Sequence, residues 1–173
     1  MIRHSKSLLL VWRIAELEAM NLKQEMIKPA HFLLGILKVV EVDLVKILKN
    51  QKEEISEEIE QDIADLKSCV GEFVLDLTYT RRFLRSILPK GGEHSREKSL
   101  RRTKTSRAAF GAAESLAKKT RSPVLPTHLL LGLLESEDAQ IITALEKVHV
   151  DISDFRKYIG SFLLKSRKLP KSL

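Results

Sequence analysis

The chain has 173 residues, 43% hydrophobic and 31% charged, with a formal net charge of +7. That length suits one domain, and the apolar share supports a packed core and excludes general disorder. Seven Gly and five Pro are few beside the abundant Leu, Lys, Glu and Ala, which favours helices over sheets, and the single cysteine, Cys69, excludes an internal disulfide and fits a reducing compartment.

In chain order, Ser5 is a candidate N-cap for a first helix whose apolar face is Leu8, Val11, Trp12, Ala15, Ala19 and Leu22. The apolar run Leu8 to Trp12 stops at Arg13, too short for a signal peptide or a membrane span, and Glu16, Glu18 and Glu25 do not suit a transit peptide. Pro29 opens a second helix, about Ala30 to Val40, apolar all round and therefore buried. Leu44, Val45, Ile47 and Leu48 mark a short third helix. A fourth carries Ile55, Ile59, Ile63, Leu66 and Val70, running on toward Leu77, and Tyr79 to Leu88 reads as one more. Pro89 to Gly92 is a turn, followed by a polar stretch from Glu93 to Arg102. Thr103 or Thr105 then caps a helix with Ala109, Phe110, Ala113, Leu116 and Ala117. Pro123 and Pro126 bracket a loop, His128 to Leu134 is a buried short helix, Ile141, Ile142 and Leu145 mark the next, and Ile152, Phe155, Ile159, Phe162 and Leu163 the last. A basic tail closes the chain.

Two segments repeat. Pro29, His31 and Leu33-Leu34-Gly35 match Pro126, His128 and Leu130-Leu131-Gly132 at an offset of 97. Upstream the offset is 98: Ser5 pairs with Thr103, Trp12 with Phe110, Ala15 with Ala113, Glu16 with Glu114 and Ala19 with Ala117. Downstream Leu44, Leu48 and Ile55 pair with Ile141, Leu145 and Ile152. The expected architecture is all-α: two tandem pseudo-symmetric four-helix repeats in one helical bundle. Repeat one covers about residues 5–77, a linker and basic loop about 78–102, repeat two about 103–164, and the tail 165–173. Trp12 and Phe110 fall on the buried stripes and are expected in the core, each contributing roughly 2–3 kcal/mol.

Charge is segregated. Residues 51–76 hold nine acids against two bases, and residues 80–107 ten bases against two acids. The acidic run from Glu53 to Asp65 reads as a solvated helix face, or as one neutralised by the basic stretch. The basic stretch, Arg81 to Arg107, has no interleaved aromatic except Phe83 and no flanking finger or helix-turn-helix signature. It reads as a solvated loop that steers an acidic protein partner, with binding of nucleic acid or an acidic surface through this loop and the tail (Lys165, Arg167, Lys168, Lys171) as the disfavoured alternative.

The pair of segments ending in His-Leu-Leu-Leu-Gly-Leu-Leu (128–134), with its partner at 31–37, resembles the Clp amino-terminal domain, the two-repeat module that leads the ClpA, ClpB and ClpC unfoldases. The resemblance covers roughly residues 5–163. It implies a mobile recognition module that binds a protein partner: an adaptor, an unfolded client or another Clp component. Small plastid accessory subunits of the Clp protease also resemble these repeats, which makes docking on the protease core the alternative. The start at Met1 and the untagged tail point to a freestanding chain. The expected location is cytoplasmic, alternatively the plastid stroma.

The departures from the family are informative. No Gly-x-x-x-x-Gly-Lys-Ser/Thr loop is present, so neither ATP hydrolysis nor a nucleotide cofactor is expected. Relatives that recognise phosphoarginine carry Glu before each motif His, whereas Ala30 and Thr127 stand here, so that activity is not expected. His31 and His128 have no acid or cysteine at ligand spacing and read as structural, and no nucleophile elbow appears, so no metal and no catalytic residue is expected. From the resemblance, the groove between the repeats is the place for a peptide, and the candidate contacts are Ser5, Lys28, Ala30, Thr103, Pro126 and Thr127.

Overall fold

The computed structural model describes residues 1–43, 46, 56–92 and 99–166. Among them run eight helices and two very short strands: α1 (Lys6–Asn21), β1 (Met26–Ile27), α2 (Pro29–Glu41), α3 (Glu57–Gly71), α4 (Leu77–Ile87), β2 (Arg101–Arg102), α5 (Lys104–Thr120), α6 (Pro126–Glu135), α7 (Ala139–Lys147) and α8 (Ile152–Lys165). The chain is all-α. Repeat two shows its four expected helices, α5 to α8. In repeat one, α1, α2 and α3 answer to α5, α6 and α8. The expected helix on Leu44, Val45, Ile47 and Leu48 lies outside the described residues, as do Ile55, the bases Arg96 and Lys98, and the tail beyond residue 166.

Local chemistry sets the helix starts. Ser5, Ser56, Asp76, Thr103, Asp138 and Asp151 each accept a backbone N–H from the first turn through a side-chain oxygen. Pro29 and Pro126 open α2 and α6, where the missing N–H costs no hydrogen bond. One boundary differs from expectation: α3 stops at Gly71 instead of running on toward Leu77, because Asp76 accepts the Tyr79 N–H at 2.8 Å and starts α4. The stretch 78–102 is therefore only partly loop, since α4 packs against α2 and α7.

The core centres on α2 and α6, which are buried over Pro29–Leu37 and Pro126–Leu134 and touch each other. Each lies across the first helix of its own repeat at a glycine. A Cβ on Gly35 would stand 2.7 Å from the Val11 carbonyl oxygen, and one on Gly132 would meet the Ala109 carbonyl oxygen closer still. Gly35 and Gly132 are 97 apart, Val11 and Ala109 are 98 apart, so the same close approach recurs in both halves at the offsets read from the sequence. Lys23 and Arg121, also 98 apart, both take left-handed backbone (φ 53° and 51°) just past the first helix of their repeats.

The halves exchange their opening segments. β1 of repeat one pairs in parallel with β2, which leads into repeat two, with Met26 opposite Arg101 and Ile27 opposite Arg102. Reciprocally, His4 bridges to Val124, with Ser5 N–H donating to the Val124 carbonyl at 3.0 Å and Val124 N–H to that of Arg3 at 2.8 Å. The two joins are related as by an approximate twofold.

Phe110 is buried as expected, while Trp12 is half-buried. Its ring packs on Phe32 and Phe110, with centroids 5.9 and 5.0 Å away, and Phe32 and Phe110 meet edge-on at 4.9 Å. Cys69 is buried on α3, and burial, helped by the nearby Asp65, pushes its thiol up to about 12. The thiolate is the reactive form, so native protein is expected to leave Cys69 unlabelled by Ellman's reagent until denaturant is added. Prompt labelling without denaturant would show that α3 opens readily.

Candidate functional site

The six candidate contacts form two corners, each built from both repeats. In the first, Ser5 sits beside the segment leading to Pro126 and Thr127, through its bond to Val124. In the second, Thr103 N–H donates to the Ile27 carbonyl at 3.1 Å and Ser106 Oγ to the same oxygen at 2.8 Å, beside Lys28 and Ala30. The reciprocal exchange thus sets the candidates in two matching corners, one at each motif start. Burial limits what they can touch. Ser5, Ala30, Pro126 and Thr127 are buried, and only Lys28 and Thr103 are partly exposed.

Between the corners lies the aromatic group. The Arg102 guanidinium stands 4.5 Å over the Trp12 ring and 4.7 Å over that of Phe110, a cation–π arrangement on two faces. Burial holds the Arg102 pKa below its ordinary value. His4, which corresponds to Arg102 at the offset of 98, approaches the same two rings and lies 3.5 Å from Glu114.

A chain of hydroxyls runs inward from the first corner. Leu8 N–H donates to Ser5 Oγ at 3.1 Å, Ser5 and Ser7 share a hydrogen bond of 2.8 Å, and Ser7 Oγ donates to Asp62 at 2.5 Å. Because the Ser7 proton is committed to Asp62, Ser5 must be the donor to Ser7. Asp62 is the exception to the solvated acidic face: it is buried on α3, and desolvation raises its pKa against the Ser7 bond, which lowers it. Ser7→Ala is expected to cost about 1 kcal/mol, the net worth of one such bond, read as a lower urea midpoint at unchanged slope. An unchanged midpoint would mean that Asp62 takes up another partner at no loss.

Both motif histidines are buried, as the structural reading expects. His31 Nδ1 accepts the Lys28 N–H at 2.9 Å, and His128 Nδ1 the Leu125 N–H at 3.0 Å. Each imidazole thus closes the first turn of its helix, which requires the neutral ring with its proton on Nε2. Burial lowers both pKa values from 6.5 to about 4, with Lys28 adding to the effect at His31. Among the described residues no group of three or more His, Cys, Asp or Glu could hold a metal ion.

The basic stretch departs from the expectation of a solvated loop. Arg81, Arg82 and Arg85 lie on α4, and Arg81 is 5% exposed. Arg81 pairs with Glu41 at the end of α2 and lies 3.8 Å from Glu18 on α1, while Arg85 holds Glu18 bidentately, its Nε at 2.9 Å. These partners are forty or more residues away in sequence, so local composition could not show them. Arg85 is raised by its bond to Glu18, and Glu41 is lowered, first by the Thr78 hydroxyl and then by Arg81. Among the described residues no ion pair joins the basic stretch to α3, so neutralisation of the acidic face is not seen.

Comparison with known proteins agrees with this geometry. Residues 101–172 match the family described as the Clp repeat (R) N-terminal domain. The fold is similar to that of the N-terminal domain of the caseinolytic protease associated chaperone ClpD from Arabidopsis thaliana, with TM-score 0.64 and 15% identity over 94% of this chain and 95% of that one. It is also similar to the Hsp104 N-terminal domain from Candida albicans, with TM-score 0.57 and 16% identity over 96% and 93%. No curated protein sequence matches significantly. The second repeat is thus similar to the Clp N-terminal repeat family, and the chain as a whole has the fold of a Clp N-terminal domain.

Proposed function

We propose that this protein is a non-catalytic module that binds a protein or peptide within a Clp-type protease or chaperone system, in a cytoplasmic or plastid stromal setting. The observation that carries the reading is the two-repeat Clp N-terminal fold, with the family match on its second half. Lys28 and Thr103 mark the reachable edge of the second corner and are its candidate contacts. Docking on the protease core as an accessory subunit is the second form of the same reading, since it uses a protein surface and no chemistry. The nucleic-acid alternative loses ground because Arg81 and Arg85 are committed to Glu18 and Glu41 and Arg102 to aromatic rings. Capture with the tagged full chain from its native source tests the proposal: Clp protease or chaperone subunits are expected among the enriched proteins. Enrichment of nucleic acid alone, released by moderate salt, or of no Clp component, would overturn it.

A further inference from the structure

A groove of about 470 Å³ opens where the C-terminal end of α2 meets α4, at the far end of α2 from Lys28 and Ala30. Its volume lies in the range of sites that take small groups, about 300–1,000 Å³. Among the described residues four cations line it, Lys38, Arg81, Arg82 and Arg85, against one carboxylate, Glu41. The Arg81 guanidinium reaches Glu41 and Glu18 through its two terminal nitrogens, yet its buried Nε has no acceptor among the described residues. Neither the Lys38 nor the Arg82 side chain forms a hydrogen bond or ion pair with a described residue. Structural neutralisation accounts for Arg81 and Arg85 but leaves the Lys38 and Arg82 side chains over.

We propose that this groove binds the carboxylates of an acidic peptide segment. The same arginines already grip two carboxylates, and the planar guanidinium fork matches that group. Among the described residues no aromatic side chain lines the groove to stack a base. The inference rests on the protein-binding reading and gives it a second surface with a stated chemistry.

The test is fluorescence anisotropy at low salt on the full chain, with a short fluorescein-labelled peptide alternating Glu and Gly and its counterpart with Gln for Glu. The Glu peptide is expected to bind saturably, and the Gln peptide at least about tenfold more weakly, the scale of one lost charge-assisted contact. Lys38→Ala combined with Arg82→Glu should weaken the Glu peptide by a similar factor, and Arg82→Lys should retain most of the binding. Neither side chain makes a hydrogen bond or ion pair with a described residue, and an unchanged thermal midpoint would confirm intact folding. Equal binding of the two peptides, no effect of the double variant, or tighter competition by inorganic phosphate or a single-stranded oligonucleotide would overturn the proposal. A double variant that still captures Clp partners, from a wild type that ignores the Glu peptide, sinks the groove alone. A wild type that captures no Clp component sinks the wider reading, and anisotropy still decides the groove.

Discussion

Gly132→Ala is expected to destabilise the protein by about 2–3 kcal/mol, and Gly35→Ala by somewhat less, in the range of an overpacked core. The obstacle at both sites is a backbone carbonyl oxygen, of Ala109 and of Val11, and not the end of a flexible side chain. Relief therefore requires α6 to lift from α5, or α2 from α1, which loosens the packing of the most buried helices. A helical Gly→Ala change otherwise gains about 1 kcal/mol, so the loss must exceed that gain for the sign to hold. Gly111 on α5 and Gly160 on α8 supply the control. Nothing lies within 4 Å of a Cβ at either place, and Ala there is expected to stabilise by about 0.5–1 kcal/mol. Gly132→Val should prevent folding at ordinary temperature. Denaturant midpoints for the four Ala variants decide the matter. Equal effects at Gly132 and Gly111 would mean that the helices do not approach as described.

Acid is expected to unfold the protein through His31 and His128. Their pKa values fall from 6.5 to about 4 on folding. Between these limits the unfolded chain binds more protons than the folded one, so stability rises with pH there. The contribution is fully present above pH 6.5 and is lost as pH falls toward 4. At about 1.4 kcal/mol per pKa unit, each imidazole accounts for ~3 kcal/mol, and the pair for as much as ~6 kcal/mol. Protonating Nδ1 would also break the bond from the Lys28 or Leu125 N–H and leave a buried charge at a helix N-terminus, where the macrodipole opposes it. Urea titrations at stepped pH should show this fall in the wild type. The His31→Gln, His128→Gln double variant should be less stable at pH 7 but nearly flat between pH 6.5 and 4. A wild-type profile just as flat would show that the rings are reachable by solvent.

The repeat was legible because each matched residue obeys a local rule. Glycine stands where backbones meet, Ser5 and Thr103 where a helix needs a cap, and His31 and His128 where a first turn needs an acceptor. The extent of α4 is half legible: Tyr79 to Leu88 reads as helical, but no local signal separates Asp76 from the helix before it, so the sequence makes α3 run past Gly71. The roles of Arg81 and Arg85 were hidden, since Glu18 and Glu41 reach them only through the packing of α1, α2 and α4. The repeat assigns Ser5, Lys28, Ala30, Thr103, Pro126 and Thr127 to the motif starts and first-helix caps, yet does not tell that four of the six are buried.

That exchange carries a thermodynamic consequence. Each half is completed by a segment of the other, so the joins at Ile27–Arg102 and His4–Val124 are formally a dimer contact made within one chain. The connecting segment supplies a local concentration on the order of mM, which makes the encounter unimolecular and immune to dilution. The same bonds satisfy the same geometry when the complementary half belongs to a second molecule. Crossing over between molecules therefore becomes competitive only as protein concentration approaches that local value, and any change that shortens or stiffens the connection moves the crossover to lower concentration.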